Sequence, residues 1–200
     1  MPDWDKAYCE ATEPLFGNQP TDFVRAVVSR PDFTARSALC LADGDGRNSR
    51  WLALNGLSVT AVDISAVATD LATALDRQAM LDIDRVVADL ELWKPAPEAR
   101  WDAVFVIYLQ CESVVRNAAI ATACRHLNDG GWLVAEGFAR RRSTKAGLGP
   151  ANPDLLYDID ELHQAASGLK VVEAHINTLH LSDGVRHQGV ADVVTFAARK

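Results

Sequence analysis

Runs typical of strands and runs typical of helices alternate along the middle of the chain, and this alternation constrains the fold more than any other feature. Short apolar runs that favour strands occupy 37–42, 58–62, 85–88, 101–108 and 132–136. Between them, helical patterns occupy 47–54, 66–79 and 113–127. Strands separated by helices pair in parallel through right-handed crossovers. The pattern therefore predicts an α/β, Rossmann-like sheet that is mostly parallel and carries helices on both faces.

The C-terminal part of the chain follows a different pattern. After a short predicted helix at 158–167, two strand-like runs at 170–181 and 190–198 are joined through Ser182-Asp-Gly184 and a polar connector. Two such runs with a turn between them are typical of a β-hairpin. The hairpin gives the sheet an antiparallel end and brings the prediction to seven strands.

Several local signals mark where elements begin and end. Ser65 is a suitable N-cap for the second helix, and Asn128-Asp-Gly-Gly131 is expected to end the third. No repeat or low-complexity segment divides the chain, so its 200 residues are expected to form one domain. Within that domain we expect an N-terminal cap at 1–30, a core at 37–138, and a lid loop with the hairpin at 139–200.

Charge and composition exclude some classes of function. A formal net charge of −7 makes nucleic acid an unlikely partner, although a basic run lies between Arg140 and Lys145. The longest apolar runs are too short to span a bilayer, and the first residues show no secretory signal. The four cysteines lack any metal-binding spacing. We therefore expect a reduced, cytoplasmic protein that works without a metal or a membrane.

A glycine turn between the first strand and the first helix is the strongest functional motif. Gly44 and Gly46 allow the backbone to turn sharply and a ligand to approach the main chain. The helix that follows exposes N–H groups at its start, and these favour an electronegative ligand group. Asp63 ends the second strand, where a carboxylate can accept hydrogen bonds from both ribose hydroxyls. The motif predicts a nucleoside site, and a tight turn beside a surface aspartate is the alternative.

Acidic residues in this turn discriminate between two classes of nucleoside-binding enzyme. Asp43 and Asp45 would repel the pyrophosphate of a dinucleotide. S-adenosylmethionine has no phosphate and carries a sulfonium and an ammonium, so acids are tolerated or helpful there. The chain also lacks room for the second domain that many dehydrogenases use. These observations favour a methyltransferase over a nicotinamide-dependent oxidoreductase.

Four segments together resemble the class I S-adenosylmethionine-dependent methyltransferases, and most closely the small bacterial tellurite-resistance and thiopurine-type group. They are ALCLADGDGRNSRWLALNGLSVTAVDIS, LFGNQPTDFV, LNDGGWLVAEGF and GPANPDLLYDIDEL. The resemblance covers nearly the whole chain in the right order. Two positions depart from the family pattern: Cys40 and Ala42 replace an acid on the first strand, and Leu109-Gln110-Cys111 replaces a His-Leu-Pro.

The resemblance implies S-adenosylmethionine as cofactor and suggests roles for individual residues. Asp63 would hold the ribose, Gly44 and Gly46 the methionine moiety, and Asp43 would lie near the ammonium. Asp89 would accept a hydrogen bond from the adenine amine. Alternatively, Asp89 is an ordinary loop carboxylate. The full set of expected cofactor residues is Ala42, Asp43, Gly44, Gly46, Arg47, Asn48, Asp63, Ile64, Asp89, Leu90 and Ile107. Ile107 and Tyr108 would lie beside the sulfonium, unless they are simply a buried strand end.

Arg47 and Asn48 open the first helix and leave two interpretations. Either could reach the methionine carboxylate, or both could be exposed residues at a helix start. Trp4, Tyr8 and Phe16 could likewise cover the cofactor or only pack in the core. The basic run from Arg140 to Lys145 could form a lid or bind an anionic acceptor, or it could be a solvated loop.

No catalytic residue is assigned from the sequence. Methyl transfer is an in-line displacement from a sulfonium, and much of its rate can come from positioning alone. Histidines are the candidates by residue type, although each is more often an ordinary surface or strand residue; they are His163, His175, His180 and His187. We expect a methyltransferase acting on a small-molecule acceptor. The alternative is a non-catalytic S-adenosylmethionine-binding or regulatory protein with the same fold.

Overall fold

The computed structural model describes residues 3–140 and 147–200, and these form seven strands and six α-helices. The strands are β1 (Ser37–Leu41), β2 (Ser58–Asp63), β3 (Asp84–Val87), β4 (Trp101–Ile107), β5 (Leu127–Phe138), β6 (Lys170–Asp183) and β7 (His187–Arg199). The helices are α1 (Trp4–Cys9), α2 (Asp22–Val28), α3 (Arg47–Leu54), α4 (Ala66–Gln78), α5 (Ser113–Arg125) and α6 (Ile159–Ala165). A short 3-10 turn covers Pro153–Leu155.

All seven strands belong to one sheet, in the spatial order β3-β2-β1-β4-β5-β7-β6. The pairs from β3 to β5 are parallel, whereas β7 pairs antiparallel with both β5 and β6. This confirms the predicted fold class. The chain moves outward from β1 to β3 and then returns to the other side of β1 with β4, so the strand order reverses between β1 and β4. In open α/β sheets, ligands bind at such a reversal, beyond the carboxyl ends of the strands.

The central strands are buried on both faces, which explains their uninterrupted apolar sequence. Leu39 and Val104 point into the hydrophobic core on one face of the sheet. Cys40 and Phe105, their neighbours in the chain, point into the core on the other face. Because the strands are fixed from both sides, the loops that follow β1 and β4 start from rigid positions.

Two helix boundaries illustrate local signals that the sequence contains. Ser65 caps α4 as predicted, since its side chain accepts a hydrogen bond from the Ala68 N–H at 3.0 Å. Gly46 lies at the N-cap of α3 with φ of 83° and has no side chain to cap the helix. The first N–H groups of α3 therefore have no side-chain cap from that position.

The boundary between α5 and β5 differs from the prediction. The helix ends at Arg125, and the strand begins at Leu127 instead of Trp132, so the glycine pair lies inside the strand. Leu127 pairs with Trp101 across a register shift, and the Gly130 N–H donates to the Lys200 carbonyl at 3.0 Å. These long-range partners hold the segment in the sheet despite its turn-like sequence.

The C-terminal hairpin is present but longer than predicted. Ser182 and Asp183 belong to β6 and pair with Gln188 and His187 of β7, so the connection shortens to 184–186. The long pairing also brings His187, the first residue of β7, into the interior, where its side chain is 1% exposed.

The N-terminal segment, residues 4–16, crosses the carboxyl edge of the sheet and is held at both ends. At one end, the Asp5 carboxylate accepts from the Ser65 hydroxyl at 2.6 Å and from the Val67 N–H at 3.1 Å. At the other end, the Leu15 carbonyl accepts from the Arg186 N–H in the hairpin turn at 2.9 Å.

The division into cap, core and hairpin regions stays a prediction. Among the described helices, none combines the length and apolar character needed to cross a membrane.

Candidate functional site

A cavity lies at the carboxyl edge of the sheet, where the strand order reverses, and it encloses about 850 Å³ when the open solvent at its mouth is included. The loops after β1, β2, β3 and β4 all contribute to its walls. Ten of the eleven expected cofactor residues line it: Ala42, Asp43, Gly44, Arg47, Asn48, Asp63, Ile64, Asp89, Leu90 and Ile107.

The remaining expected residue, Gly46, does not line the cavity. A Cβ at this position would collide with the Arg85 guanidinium, and the residue has φ of 83°. Gly46 is therefore required by the packing under the turn as well as by its backbone conformation.

The glycine turn and the acid at the end of β2 are directly linked. The Gly44 N–H donates to Asp63 Oδ2 at 2.7 Å, and the Ser65 N–H donates to Asp63 Oδ1 at 2.8 Å. Burial raises the pKa of Asp63, and these two backbone donors oppose the shift. Each carboxylate oxygen still has a lone pair for a further donor. The side chain is thus fixed in orientation and retains the capacity to accept two more hydrogen bonds.

Asp43, expected near the ammonium, already has strong partners inside the protein. Its Oδ2 accepts from Arg85 Nη1 at 2.9 Å and also from the Ser49 hydroxyl. Arg85 in turn donates from Nε to Asp76 at 2.6 Å, and all three charged side chains are at most 6% exposed. The role of Arg85 is not visible in the sequence, because a single arginine in a short strand gives no sign of the carboxylates that it will meet.

Asp45 is the second acid of the turn, and its charge is less completely compensated. Burial and the neighbouring Asp43 carboxylate raise the pKa of Asp45 to about 6, while Arg47 and Arg50 act in the opposite direction. Asp45 lines the cavity beside Gly44. It is consequently a carboxylate that a nearby cation would hold in the ionised form.

Arg47 and Asn48 are buried, with 5% and 6% exposure, so the interpretation of an exposed pair at a helix start is wrong. Arg47 Nη1 donates to the Phe16 carbonyl at 2.5 Å and lies 3.4 Å from Asp183 Oδ2. Asn48 Oδ1 accepts from the Thr21 N–H at 3.2 Å. The start of α3 therefore ties the N-terminal segment to the sheet, and both side chains also reach the cavity wall.

The N-terminal segment forms part of the cavity wall. Trp4, Tyr8 and Phe16 all line the cavity, as the covering role requires. The Tyr8 hydroxyl lies so close to Gly44 that a Cβ at Gly44 would collide with it. The aromatic residues therefore both pack against one another and close the site.

Asp89 and Leu90 follow β3 at the far end of the cavity. Asp89 Oδ1 accepts from the Glu91 N–H at 2.9 Å, which orients the carboxylate within its loop. Leu90 is buried, and Ile64 lines the same cavity from the end of β2. This end offers apolar surface with one oriented carboxylate.

The opposite end, beyond β4, is aromatic. His187 has ring centroids of Tyr108, Phe16 and Phe138 at 4.5, 4.9 and 5.3 Å. Tyr108 and Phe16 line the cavity, and Tyr108 has an unusual φ of 54°. Burial, with a contribution from Arg47, lowers the pKa of His187 to about 3, so the imidazole is neutral. We name these four residues the aromatic box.

Glu136 lies on β5 next to this box and was not foreseen. Its carboxylate is 3% exposed and accepts from the Thr21 hydroxyl at 2.5 Å. Burial raises the pKa of Glu136 to about 7, against the influence of Thr21, Arg47 and Tyr108. The nearby carboxylate and burial in turn raise the pKa of Tyr108. A signal existed in the sequence, since an acid interrupts an otherwise apolar strand.

The other candidate residues fall outside the cavity. His163, His175 and His180 are exposed. Arg140 pairs with Glu161 at 2.5 Å, and the basic residues Arg141, Arg142 and Lys145 lie outside the described residues. In the described part of the chain, no three His, Cys, Asp or Glu side chains gather as metal ligands would. The segment Leu109-Gln110-Cys111 lines the cavity, and burial raises the pKa of the Cys111 thiol to about 11.

Comparison with known proteins finds a sequence match for the central part of the chain. Residues 38–131 match the family described as "Methyltransferase domain". These residues contain the glycine turn, Asp63, Asp89 and the end of β4. This part of the chain is therefore similar in sequence to methyltransferase domains.

Solved structures share the fold at low sequence identity. TehB from Haemophilus influenzae superposes with a TM-score of 0.74 at 20% identity, over 90% of this chain and 62% of that one. This chain thus spans less than two thirds of TehB. Magnesium protoporphyrin IX methyltransferase from Synechocystis PCC 6803, solved with bound S-adenosylmethionine, has a TM-score of 0.62 at 15% identity, over 88% and 76% of the two chains.

A third similar structure comes from echinomycin biosynthesis and is described by the conversion of a disulfide bond into a thioacetal group. It superposes with a TM-score of 0.75 at 16% identity, over 98% of this chain and 90% of that one. No curated protein matches the chain significantly in sequence. These neighbours support the fold, and the acceptor has to be inferred from the cavity itself.

Proposed function

We propose that the protein transfers the methyl group of S-adenosylmethionine to a small-molecule acceptor in this cavity. The observation that carries the proposal is the Asp63 carboxylate, which two backbone N–H groups hold at the edge of the cavity. Its remaining lone pairs suit the two hydroxyls of a ribose. Around it, the walls have the polarity that the three parts of the cofactor need.

The residues present fit the cofactor at each end of the ribose. On one side, Ile64 and Leu90 offer apolar contacts to adenine, and Asp89 can accept from its amine. On the other side, Gly44 and the Tyr8 hydroxyl that packs against it line the part of the cavity where the methionine moiety would lie. Asp45 is better placed than Asp43 to balance the ammonium, because Arg85 already neutralises Asp43.

Methyl transfer depends more on how the acceptor is positioned than on a strong acid or base. The bound cofactor supplies an electrophilic methyl group on a sulfonium. The protein holds the acceptor in line with that methyl and excludes water, which can account for much of the rate. Trp4, Tyr8 and Phe16 provide the exclusion from the N-terminal side.

A small acceptor is favoured because the N-terminal segment covers the site. The segment is bonded to α4 at Ser65 and to the hairpin turn at Arg186, so it bridges the cavity. A macromolecular acceptor would have to displace it. The net charge of −7 also disfavours nucleic acid. We further propose a cytoplasmic location, which the four free thiols support.

Calorimetric titration tests the cofactor part of the proposal. We expect S-adenosylhomocysteine to bind to the wild-type protein and NAD and NADP not to bind. Asp63→Asn should weaken the binding, and Asp70→Asn, an exposed residue on α4, is the matched control. Equal affinity in all three proteins would contradict the site, and binding of NAD alone would indicate an oxidoreductase.

A second experiment separates an enzyme from a non-catalytic binding protein. The protein is incubated with S-adenosylmethionine and single acceptors from a panel of thiols, phenols, selenite and tellurite, and S-adenosylhomocysteine is quantified by mass spectrometry. We expect acceptor-dependent formation of product with at least one class. Tight binding of the cofactor without turnover on any acceptor would favour the regulatory alternative, to which the altered Leu109-Gln110-Cys111 segment gives some weight.

A further inference from the structure

Two buried polar atoms in the aromatic box lack hydrogen-bond partners among the described residues. They are the two ring nitrogens of His187, whereas the neighbouring Tyr108 hydroxyl is engaged with the Glu136 carboxylate. Buried polar groups are nearly always satisfied in folded proteins, so two such atoms on one side chain require an explanation. Tyr108 lines the cavity, which makes the box continuous with the site where the cofactor would bind.

The surroundings of these atoms are apolar and provide little free charge. Phe16 and Phe138 pack their rings against His187. The nearby Arg47 donates to the carbonyls of Phe16 and Gln19 and pairs with Asp183. The neutral His187 cannot serve as a cation. An anion would therefore be desolvated here beside a cation, Arg47, that already faces the carboxylates of Asp183 and Glu136, which is costly.

We propose that Phe16 and Tyr108, which line the cavity, form the acceptor subsite together with Phe138 and His187, which pack against them, and that this subsite takes an uncharged, flat molecule whose nucleophile is a hydroxyl or thiol. The inference rests on the proposed methyltransferase function. The aromatic surface that Phe16 and Tyr108 present favours a flat apolar body. The unpaired imidazole nitrogens of His187 supply one donor and one acceptor beside it.

Glu136 is the group that takes up the proton when the acceptor loses it. The acceptor oxygen or sulfur forms a bond to the methyl carbon, and the carbon–sulfur bond of the sulfonium breaks with its electron pair left on sulfur. The acceptor's proton passes to the Tyr108 oxygen as the Tyr108 proton passes to the Glu136 carboxylate. The Tyr108 backbone N–H donates to the Glu136 carbonyl at 2.7 Å where β4 ends beside β5, and the Tyr108 hydroxyl is engaged with the Glu136 carboxylate. His187 orients the acceptor by accepting or donating one hydrogen bond.

The groups that face Glu136 come from four other elements of the fold. They are Thr21 before α2, Arg47 on α3, Tyr108 after β4 and Asp183 at the end of β6. Among them, Arg47 favours the ionised carboxylate and Asp183 disfavours it. Turnover should therefore rise with pH through about 7, as Glu136 becomes ionised.

A matched pair of probes tests the subsite directly. With the protein saturated in S-adenosylhomocysteine, the affinities of 2-naphthol and 2-naphthoate are measured by calorimetry, together with that of selenite. We expect 2-naphthol to bind at least about tenfold more tightly than either anion, because the carboxylate and the oxyanion must be desolvated. Preference for an anion, or no binding of 2-naphthol, would overturn the proposal.

Two variants locate the binding of the probe. Tyr108→Phe and His187→Phe should each lower the affinity for 2-naphthol by about five- to tenfold, because each removes a buried hydrogen bond to the bound probe. His180→Phe, at an exposed position on β6, should have no effect. Unchanged affinity in both box variants would count against the subsite. The comparison of probes on the wild-type protein remains decisive if a variant does not fold.

The same measurements distinguish the inference from the function on which it rests. If S-adenosylhomocysteine fails to bind to the wild-type protein, the methyltransferase proposal itself is contradicted. If it binds and 2-naphthol does not, only the acceptor subsite is contradicted. In the pH profile of turnover with any accepted phenol or thiol, Glu136→Gln should remove the rise near neutral pH.

Discussion

The two ends of the cavity, proposed to hold the cofactor and the acceptor, satisfy their polar groups in different ways. At the proposed cofactor end, Asp63 has two backbone donors, and Asp43 has Arg85 and Ser49. At the proposed acceptor end, the two ring nitrogens of His187 have no such partners among the described residues. The first region is organised before any ligand arrives. The second retains hydrogen-bonding capacity that only a ligand or solvent can use.

This difference indicates which region should depend on its own hydrogen bonds and ion pairs for stability. Removal of one member of a satisfied buried network leaves its partner uncompensated. Removal of an unsatisfied group leaves nothing behind. Substitutions at the two ends should therefore have different consequences, and four measurements of stability or ligand binding examine this difference.

The largest expected effect belongs to Arg85. Arg85→Met leaves the buried carboxylates of Asp43 and Asp76 without their shared cation, although Arg50 still pairs with Asp76 at 3.1 Å. We expect the free energy of unfolding to fall by about 3–5 kcal/mol, as it does when a buried ion pair loses one partner. Urea denaturation measures the change, with Arg77→Met as the control on α4. A loss below about 1 kcal/mol would show that the network is not needed for folding.

Asp63 comes next, and its effect should appear in binding. Asp63→Ala removes the acceptor of the Gly44 N–H together with the proposed partner of the ribose. We expect affinity for S-adenosylhomocysteine to fall by about 1–3 kcal/mol, the cost of leaving a buried group unsatisfied. Calorimetry on the variant and on Asp70→Ala measures this loss. An equal loss in both variants would mean that Asp63 has no specific role.

Sequence alone identifies the residues that line the cavity near the glycine turn better than it identifies Arg85 and Glu136, for a physical reason. Gly44 and Asp63 belong to a turn and a strand end whose roles depend on local conformation. Arg85 and Glu136 acquire their roles from distant partners, since Arg85 meets Asp43 across 42 positions and Glu136 meets Thr21 across 115. Such contacts depend on strand order, which periodicity does not specify.

The two wrongly predicted boundaries, at the start of β5 and in the hairpin turn, also result from long-range contacts. The glycine pair near Asn128 resembles a helix end, yet pairing with Trp101 and Lys200 holds it in β5. Likewise, Ser182 and Asp183 resemble a turn but complete the ladder of the hairpin. That longer ladder places His187 inside the protein. A local signal identifies a turn residue, but the register decides whether the turn forms there.

The third prediction uses pH to examine the acceptor end. The pKa of Glu136 is raised from its usual value to about 7, so the folded protein retains a proton that the unfolded chain releases near pH 4.5. Between these values the unfolded state binds fewer protons, and stability falls as the pH rises. We expect wild type to lose about 1–2 kcal/mol more than Glu136→Gln between pH 5 and 7.5.

Urea denaturation of both proteins at the two pH values provides the measurement. The contribution of Asp45, whose pKa is also raised, is common to both and cancels in the difference. Parallel pH dependences of wild type and Glu136→Gln would show that Glu136 titrates normally. It would then be no more suited to accept a proton than a surface carboxylate.

The smallest effect is expected for His187, and it provides the sharpest contrast with Arg85. His187→Phe replaces two unpartnered nitrogens with carbon inside a box of aromatic rings. Replacing an unsatisfied polar group by an apolar one of similar shape is nearly neutral or stabilising, so we expect a change within about 1 kcal/mol, in the stabilising direction. Thermal and urea denaturation of this variant and of His180→Phe measure it. A loss above about 2 kcal/mol would mean that His187 makes a bond that stabilises the free protein, and the two ends of the cavity would then be alike. Retained stability with weakened binding of 2-naphthol would instead show that this histidine is kept for a ligand and not for the fold.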